Sequence, residues 1–238
     1  MIYNAEYLPR IDDLDRFGAL SLKAILDIIE DTGDRHSAAV EKSVFEKSLE
    51  GYTWILTEWN VKIIRRPGSG ERLRVSTWTH GKYPALLISR EYRMQSESGE
   101  DLVLASARMG LMDVSSGRLV RITEDYMSVY EPEDFSVLEP PSPPRLREPK
   151  QFDRVTTVPL RRSDMDFNGH THNTKYIIIA SEAIPEELER EASYIRIAYH
   201  NPLRGGSARV TCSLDESGAT LGIYDENGTF CAAASVKR

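Results

Sequence analysis

Asp12-Asp13-Leu14-Asp15-Arg16-Phe17-Gly18 is matched, 151 residues later, by Ser163-Asp164-Met165-Asp166-Phe167-Asn168-Gly169. The shared skeleton is Asp-(Leu/Met)-Asp-x-x-Gly, and an apolar run follows each copy. The first run, Leu20, Leu22, Ile25, Leu26, Ile28 and Ile29, covers more than one helical face. The second, Tyr176-Ile177-Ile178-Ile179-Ala180, does the same and stops before Pro185. Helices apolar nearly all round belong in an interior. Strand-like alternation follows both. It covers Tyr52–Arg65, Arg72–Thr79, Ala85–Met94 and Val103–Val114 after the first copy. After the second it covers Tyr194–Tyr199, Ala208–Leu214 and Thr220–Tyr224, with Asp225-Glu226-Asn227-Gly228 as a hairpin into Thr229–Val236. A repeated phrase in a repeated element order implies an internal duplication. Each half reads as a long buried helix wrapped by a curved antiparallel sheet, an α+β arrangement made twice.

Six of the 12 prolines fall between Glu131 and Lys150, where a fixed φ and missing backbone donors exclude helix and interior strand. This stretch reads as an extended linker, dividing the chain into 1–130, 131–150 and 151–238. Thirty Lys and Arg against 37 Asp and Glu give a net charge of −7, which argues against sequence-independent nucleic-acid binding. The run Ile177–Ala180 falls far short of the ~20 residues of a membrane span. The opening residues read as neither a secretory signal nor a transit peptide. Cys212 and Cys231 are too few for a disulfide framework and read as packed thiols. The expectation is a cytoplasmic globular protein.

The densest polar cluster runs from Arg161 to Asn173 and contains Asp164, Asp166, Asn168, Gly169, His170, Thr171 and His172. It precedes a helix, where unpaired amides and the dipole favour negative charge. An N-cap alone needs one Asp or Asn, so the cluster reads as a site. Asp164-x-Asp166-x-Asn168-Gly169 copies half of a calcium loop, but Lys175 stands where the bidentate Glu is required. His170-x-His172 lacks a third ligand nearby, so neither metal nor cofactor is expected.

Asp166-x-Asn168-x-His170-x-x-Asn173-x-x-Tyr176 resembles the signature of the acyl-acyl-carrier-protein (acyl-ACP) thioesterases of bacteria and plastids. Tyr52-Thr53-Trp54-Ile55-Leu56-Thr57, Arg65-Arg66-Pro67, Thr77-Trp78 and Met112-Asp113 resemble that family's first half. The resemblance implies two tandem hotdog domains and hydrolysis of fatty acyl thioesters carried by acyl carrier protein, in fatty acid biosynthesis. Phe17 and Ala19 stand where the second copy has Asn168 and His170, so only the second could be catalytic.

What the resemblance implies for the residues is a catalytic set of Asp166, Asn168 and His170. Gly169, Thr171, Asn173 and Tyr176 would contact substrate. His170 would deprotonate or orient water, Asn168 would position water or carbonyl, and Asp166 would favour a charged His170. Amides near Gly169 would stabilise the oxyanion. One departure stands out: the family's acid after a strand ending in Tyr is absent from Ala198-Tyr199-His200-Asn201-Pro202-Leu203, where Pro202 takes its place. His200 is the leading substitute. The alternatives are a non-hydrolysing acyl-thioester binding protein and a coenzyme A thioesterase. Arg65, Arg66, Arg161 and Arg162 are candidate contacts for an acidic carrier. Trp54, Trp59 and Trp78 are expected in the core. Monomer and homodimer are both open.

Overall fold

Helix α1 (Leu22–Ala39) begins where the first repeated phrase ends, with Ser21 Oγ accepting from the Ala24 amide at 3.1 Å as its N-cap. This computed structural model describes residues 1–138 and 144–238, the side chains of residues 44–46 excepted. The chain forms two compact units, Met1–Thr57 with Ile64–Ser142, and Glu58–Ile63 with Pro143–Arg238.

The first unit contains β1 (Tyr3–Tyr7), α1, α2 (Val44–Leu49), the first half of β2 (Tyr52–Ile63), β3 (Leu73–His80), β4 (Ile88–Ser96), β5 (Asp101–Asp113), β6 (Arg118–Val120) and α3 (Glu124–Ser128). Its antiparallel order is β1-β3-β4-β5, with β6 added to β5. Helix α1 lies on β1, β3 and β4. Leu22, Ala24, Ile25, Leu26, Ile28 and Ile29 are buried on it, as the apolar run requires. Gly33 lets the helix approach the sheet closely, since an added Cβ would stand 2.6 Å from the Tyr92 hydroxyl. A second cluster, Ile88, Leu111, Ile122, Met127 and Tyr130, packs with Trp54.

The second unit contains β7 (Arg154–Pro159), α4 (Lys175–Ser181), α5 (Glu186–Arg190), β8 (Tyr194–Tyr199), β9 (Ser207–Asp215), β10 (Gly218–Tyr224) and β11 (Phe230–Lys237). The order β7-β9-β10-β11-β8 is antiparallel throughout, and Glu58–Lys62 of β2 pairs with β8. Arg196 of β8 is ion-paired with Glu58, its Nε donating at 3.1 Å. Ile195, Ile197, Val210, Leu221, Ile223 and Val236 are fully buried. Two helix-and-sheet units of this kind are hotdog domains.

The helix of the second unit is short, in contrast to the long one expected. α4 has seven residues against eighteen in α1. Three consecutive β-branched isoleucines are mediocre helix formers, and Pro185 pushes the preceding residue out of the helical region. Three described strands paired on one side only were not anticipated, the three-residue β6 and the longer β1 and β7. Of the longer two, β1 does alternate, with Ala5 buried between exposed Asn4 and Glu6, but its five residues are short, while β7 has two adjacent threonines and ends on Pro159.

Pro140, Pro141 and Pro143 of the expected linker lie outside the described residues. The described remainder holds no helix and no strand beyond a one-residue bridge from Glu133 to His80. Its beginning rests on the first unit. The Glu133 amide donates to Thr79 O at 3.0 Å, and Trp78 Nε1 to Phe135 O at 3.0 Å. The buried Glu91 carboxylate accepts from Ser106, Ser136 and the Val137 amide at 2.9–3.1 Å. Trp59 and Trp78 are 1% exposed, as expected of core residues. Cys212 and Cys231 are buried and free, and burial pushes the Cys231 thiol up to about 11. No described helix is long and apolar enough to cross a membrane.

Candidate active site

The two repeated phrases fold into the same loop, hydrogen bond for hydrogen bond. The Arg10 amide donates to Asp13 Oδ2 at 2.7 Å, and the Arg161 amide to Asp164 Oδ2 at 2.7 Å. Asp15 Oδ1 accepts the amides of Phe17 (2.9 Å) and Ala19 (3.1 Å), while Asp166 Oδ1 accepts those of Asn168 (2.8 Å) and His170 (3.1 Å). Gly18 at φ +81° and Gly169 at φ +72° donate to Asp15 O and Asp166 O, both at 3.0 Å. These left-handed turns favour glycine. The Ser21 amide donates to Asp13 O at 2.9 Å and the His172 amide to Asp164 O at 2.8 Å. His172 therefore stands at the repeat position of Ser21, although the N-cap of α4 is Thr174, and its Nδ1 is bonded to Thr174 Oγ1 at 3.0 Å.

A second pair of stretches closes each loop from the side. Leu20 N donates to Pro67 O at 2.7 Å, and Thr171 N to Leu203 O at 2.8 Å. This aligns Arg66-Pro67-Gly68-Ser69-Gly70 with Pro202-Leu203-Arg204-Gly205-Gly206, and the last glycine of each has φ +76° and +70°. In the first unit Arg66 is ion-paired with Asp15 Oδ2 and donates through Nε to Leu20 O at 2.9 Å. Its counterpart is Pro202, which has no charge to offer Asp166.

Within this frame the expected site residues separate. Asn168 is exposed and His170 half-buried, and neither side chain makes a hydrogen bond among the described residues. Both are open to a ligand. Asp166 is committed to the backbone through Oδ1, so its observed work is to shape the loop that presents the other two. Thr171 and Tyr176 are buried, 3% and 2% exposed. The Tyr176 hydroxyl accepts the Leu203 amide at 3.1 Å and its ring meets Tyr199 edge-on at 5.1 Å. Burial pushes that phenol up to about 12. It braces the Leu203 stretch. Asn173 is half-buried, with its carbonyl accepting from Tyr199 Oη at 2.8 Å. His200 is exposed and packs its ring on Phe230 at 4.7 Å, and no described hydrogen bond joins it to the Asp166 loop.

Two electrostatic features bear on the expected roles. The amides of Asn168, Gly169, His170, Thr171 and His172 are all spent on Asp166, Leu203 and Asp164. These five amides are therefore occupied in the described structure. Second, His170 is held below the ordinary imidazole value, first by burial and then by the Arg204 guanidinium, which together outweigh the opposing Asp166 carboxylate. Asp166 does favour the charged form, as expected, but the other two effects are larger. A neutral imidazole can accept a proton. Among the described residues no cluster of three His, Cys, Asp or Glu could hold a metal ion. The nearness of Arg204 to His170 was not legible in the sequence. Arg204 sits 136 residues after Gly68, whereas the loops are 151 apart, so the repeat does not reveal the correspondence without the backbone.

Comparison with known proteins bears on both halves. Residues 1–130 match the model of the acyl-ACP thioesterase N-terminal domain, and residues 147–223 that of the C-terminal domain. The chain belongs to the acyl-ACP thioesterase family. Oleoyl-acyl carrier protein thioesterase 1 of Arabidopsis thaliana is 21% identical over 92% of this chain, and a Coriandrum sativum relative is 20% identical over 99%. The chain spans 66% and 69% of the length of those two curated relatives. Family likeness extends to the fold. An acyl-ACP thioesterase from Bacteroides thetaiotaomicron superposes with a TM-score of 0.88 at 17% identity, covering 99% of this chain and 97% of that one. The 12:0-ACP thioesterase of Umbellularia californica gives 0.87 at 17%, covering 99% and 96%.

Proposed function

We propose that this protein hydrolyses fatty acyl thioesters of acyl carrier protein, releasing a free fatty acid and the carrier thiol. The observation that carries the reading is the Asp166 loop, which presents Asn168 and a neutral His170 with both side chains uncommitted. Family membership supplies the substrate class. His170 takes a proton from water as the water oxygen bonds to the acyl carbon. The carbonyl electron pair moves onto oxygen and returns as the carbon–sulfur bond breaks, and the proton passes to the departing thiolate. Asn168 can donate and accept at once, which suits it to hold the water or the carbonyl. Asp166 keeps both in place by ordering the backbone between them. His200 is outside this set.

A second reading rests on Pro202. With no acid at that position, the scaffold could bind acyl thioesters without turning them over. Free thiol release from a panel of acyl-ACP and acyl-coenzyme A substrates separates the two, with His170→Ala and Asn168→Ala beside the wild type. Hydrolysis lost in both variants supports the enzyme. Saturable acyl binding with no thiol release from the wild type on any carrier supports the binding protein.

A further inference from the structure

The first unit neutralises its loop carboxylate with Arg66 and has side-chain-poor residues, Ala19 and Gly68, bridged opposite each other. In the second unit the corresponding positions are His170 and Arg204, brought opposite by the Thr171–Leu203 hydrogen bond of 2.8 Å. The cation has in effect moved two places along the stretch, from the position of Pro202 to that of Arg204. We propose that Arg204 is the cation of this site, set across from His170 to face the negative charge that develops on the attacked carbonyl.

Three observations support it. The amides from Asn168 to His172, which surround His170, are committed to other acceptors. Arg204 is exposed and makes no hydrogen bond or ion pair among the described residues, so its guanidinium is available. Asp166, from the loop itself, and Arg204, from the facing stretch, are the charged groups that act on His170, and the effect of Arg204 is to keep that imidazole unprotonated. A cation beside a proton-accepting histidine suits a step that builds negative charge on oxygen.

The inference rests on the thioesterase reading, and its test keeps the two apart. Thiol release is measured first for the wild type on the acyl-ACP and acyl-coenzyme A panel, then for Arg204→Met and Arg204→Lys. The His170 ring proton is titrated by NMR in the wild type and in Arg204→Met. Arg204→Met should lower kcat roughly 10- to 100-fold, less than the ~10²–10³ of a buried oxyanion donor, with KM changing less than about twofold. Arg204→Lys should recover most of the loss, and the His170 midpoint should rise in Arg204→Met. Wild-type turnover with unchanged kcat in Arg204→Met overturns the role of Arg204 alone, as does an unmoved His170 midpoint. No thiol release by the wild type on any substrate overturns the thioesterase reading and this role with it.

Discussion

In the Asp15 loop one carboxylate oxygen gathers two amides and the other is held by Arg66, while the tip carries Phe17 and Ala19. In the Asp166 loop the same two amides are gathered, but Arg66 has become Pro202 and the tip carries Asn168 and His170. The backbone is shared; only the side chains it displays differ. A loop that shapes itself through one carboxylate oxygen is free to change its tip, because neither tip side chain is needed to hold the turn. The first copy uses that freedom to build a neutralised structural corner. The second uses it to leave polar groups open.

The comparison breaks if the first loop proves as important for hydrolysis as the second. His170→Ala should lower thiol release by roughly 10²–10⁴-fold, the usual contribution of a positioned base, and Asn168→Ala by about 10²-fold. Phe17→Ala, at the position matching Asn168, should leave kcat within about twofold. Steady-state kinetics on one acyl-ACP substrate decide this.

Stability should rank the loops the other way. Asp15→Ala strips two amides of their acceptor and leaves Arg66, whose side chain is 9% exposed, without its counter-ion, at a cost of about 3–4 kcal/mol. Asp166→Ala strips only the amides and should cost about 1–2 kcal/mol. It should nevertheless cost most of the activity, by releasing Asn168 and His170 from their positions. Urea unfolding of both variants reads the difference, and equal destabilisation would mean that Arg66 adds nothing.

The pH profile sharpens the contrast, since only the second loop has a group that titrates near neutrality. His170 must be unprotonated to accept a proton, and its folded value is depressed below the ordinary ~6.5. Activity should therefore be flat at pH 7 and fall only as the pH drops through that lowered value. A kcat/KM profile with its acid limb at or above about 6.5 would contradict the environment described for His170.

Much of this could be read from residues alone, and what could not has physical causes. The repeated phrase was legible because Asp, Gly and an apolar helix start are each demanded by the backbone: a carboxylate to gather amides, a left-handed turn, an interior face. The central strands were legible through their alternation. Edge strands β1 and β7 were not: β1 alternates over only five residues, and β7 interrupts its pattern with Thr156-Thr157 and ends on Pro159. The loop-shaping work of Asp166 was also hidden, since an Asp two residues before an Asn does not reveal the amides it accepts at 2.8 and 3.1 Å. Tyr176 reads as a ligand contact in the motif, and the sequence does not show that its hydroxyl also accepts the Leu203 amide.

The smallest effect tests whether the two backbones are alike in energy as well as in pattern. Gly18 and Gly169 have φ of +81° and +72°, and a Cβ added at either would meet nothing within 4 Å. Alanine at each therefore pays only for the left-handed conformation, about 1 kcal/mol, with no steric contribution to separate the sites. Gly18→Ala and Gly169→Ala should shift the urea midpoint equally. Only Gly169→Ala should also reduce turnover, because the turn it strains lies between Asn168 and His170. An unequal loss of stability would show that one loop is held by more than its shared hydrogen bonds, and the Arg66 ion pair makes the first loop the one to suspect.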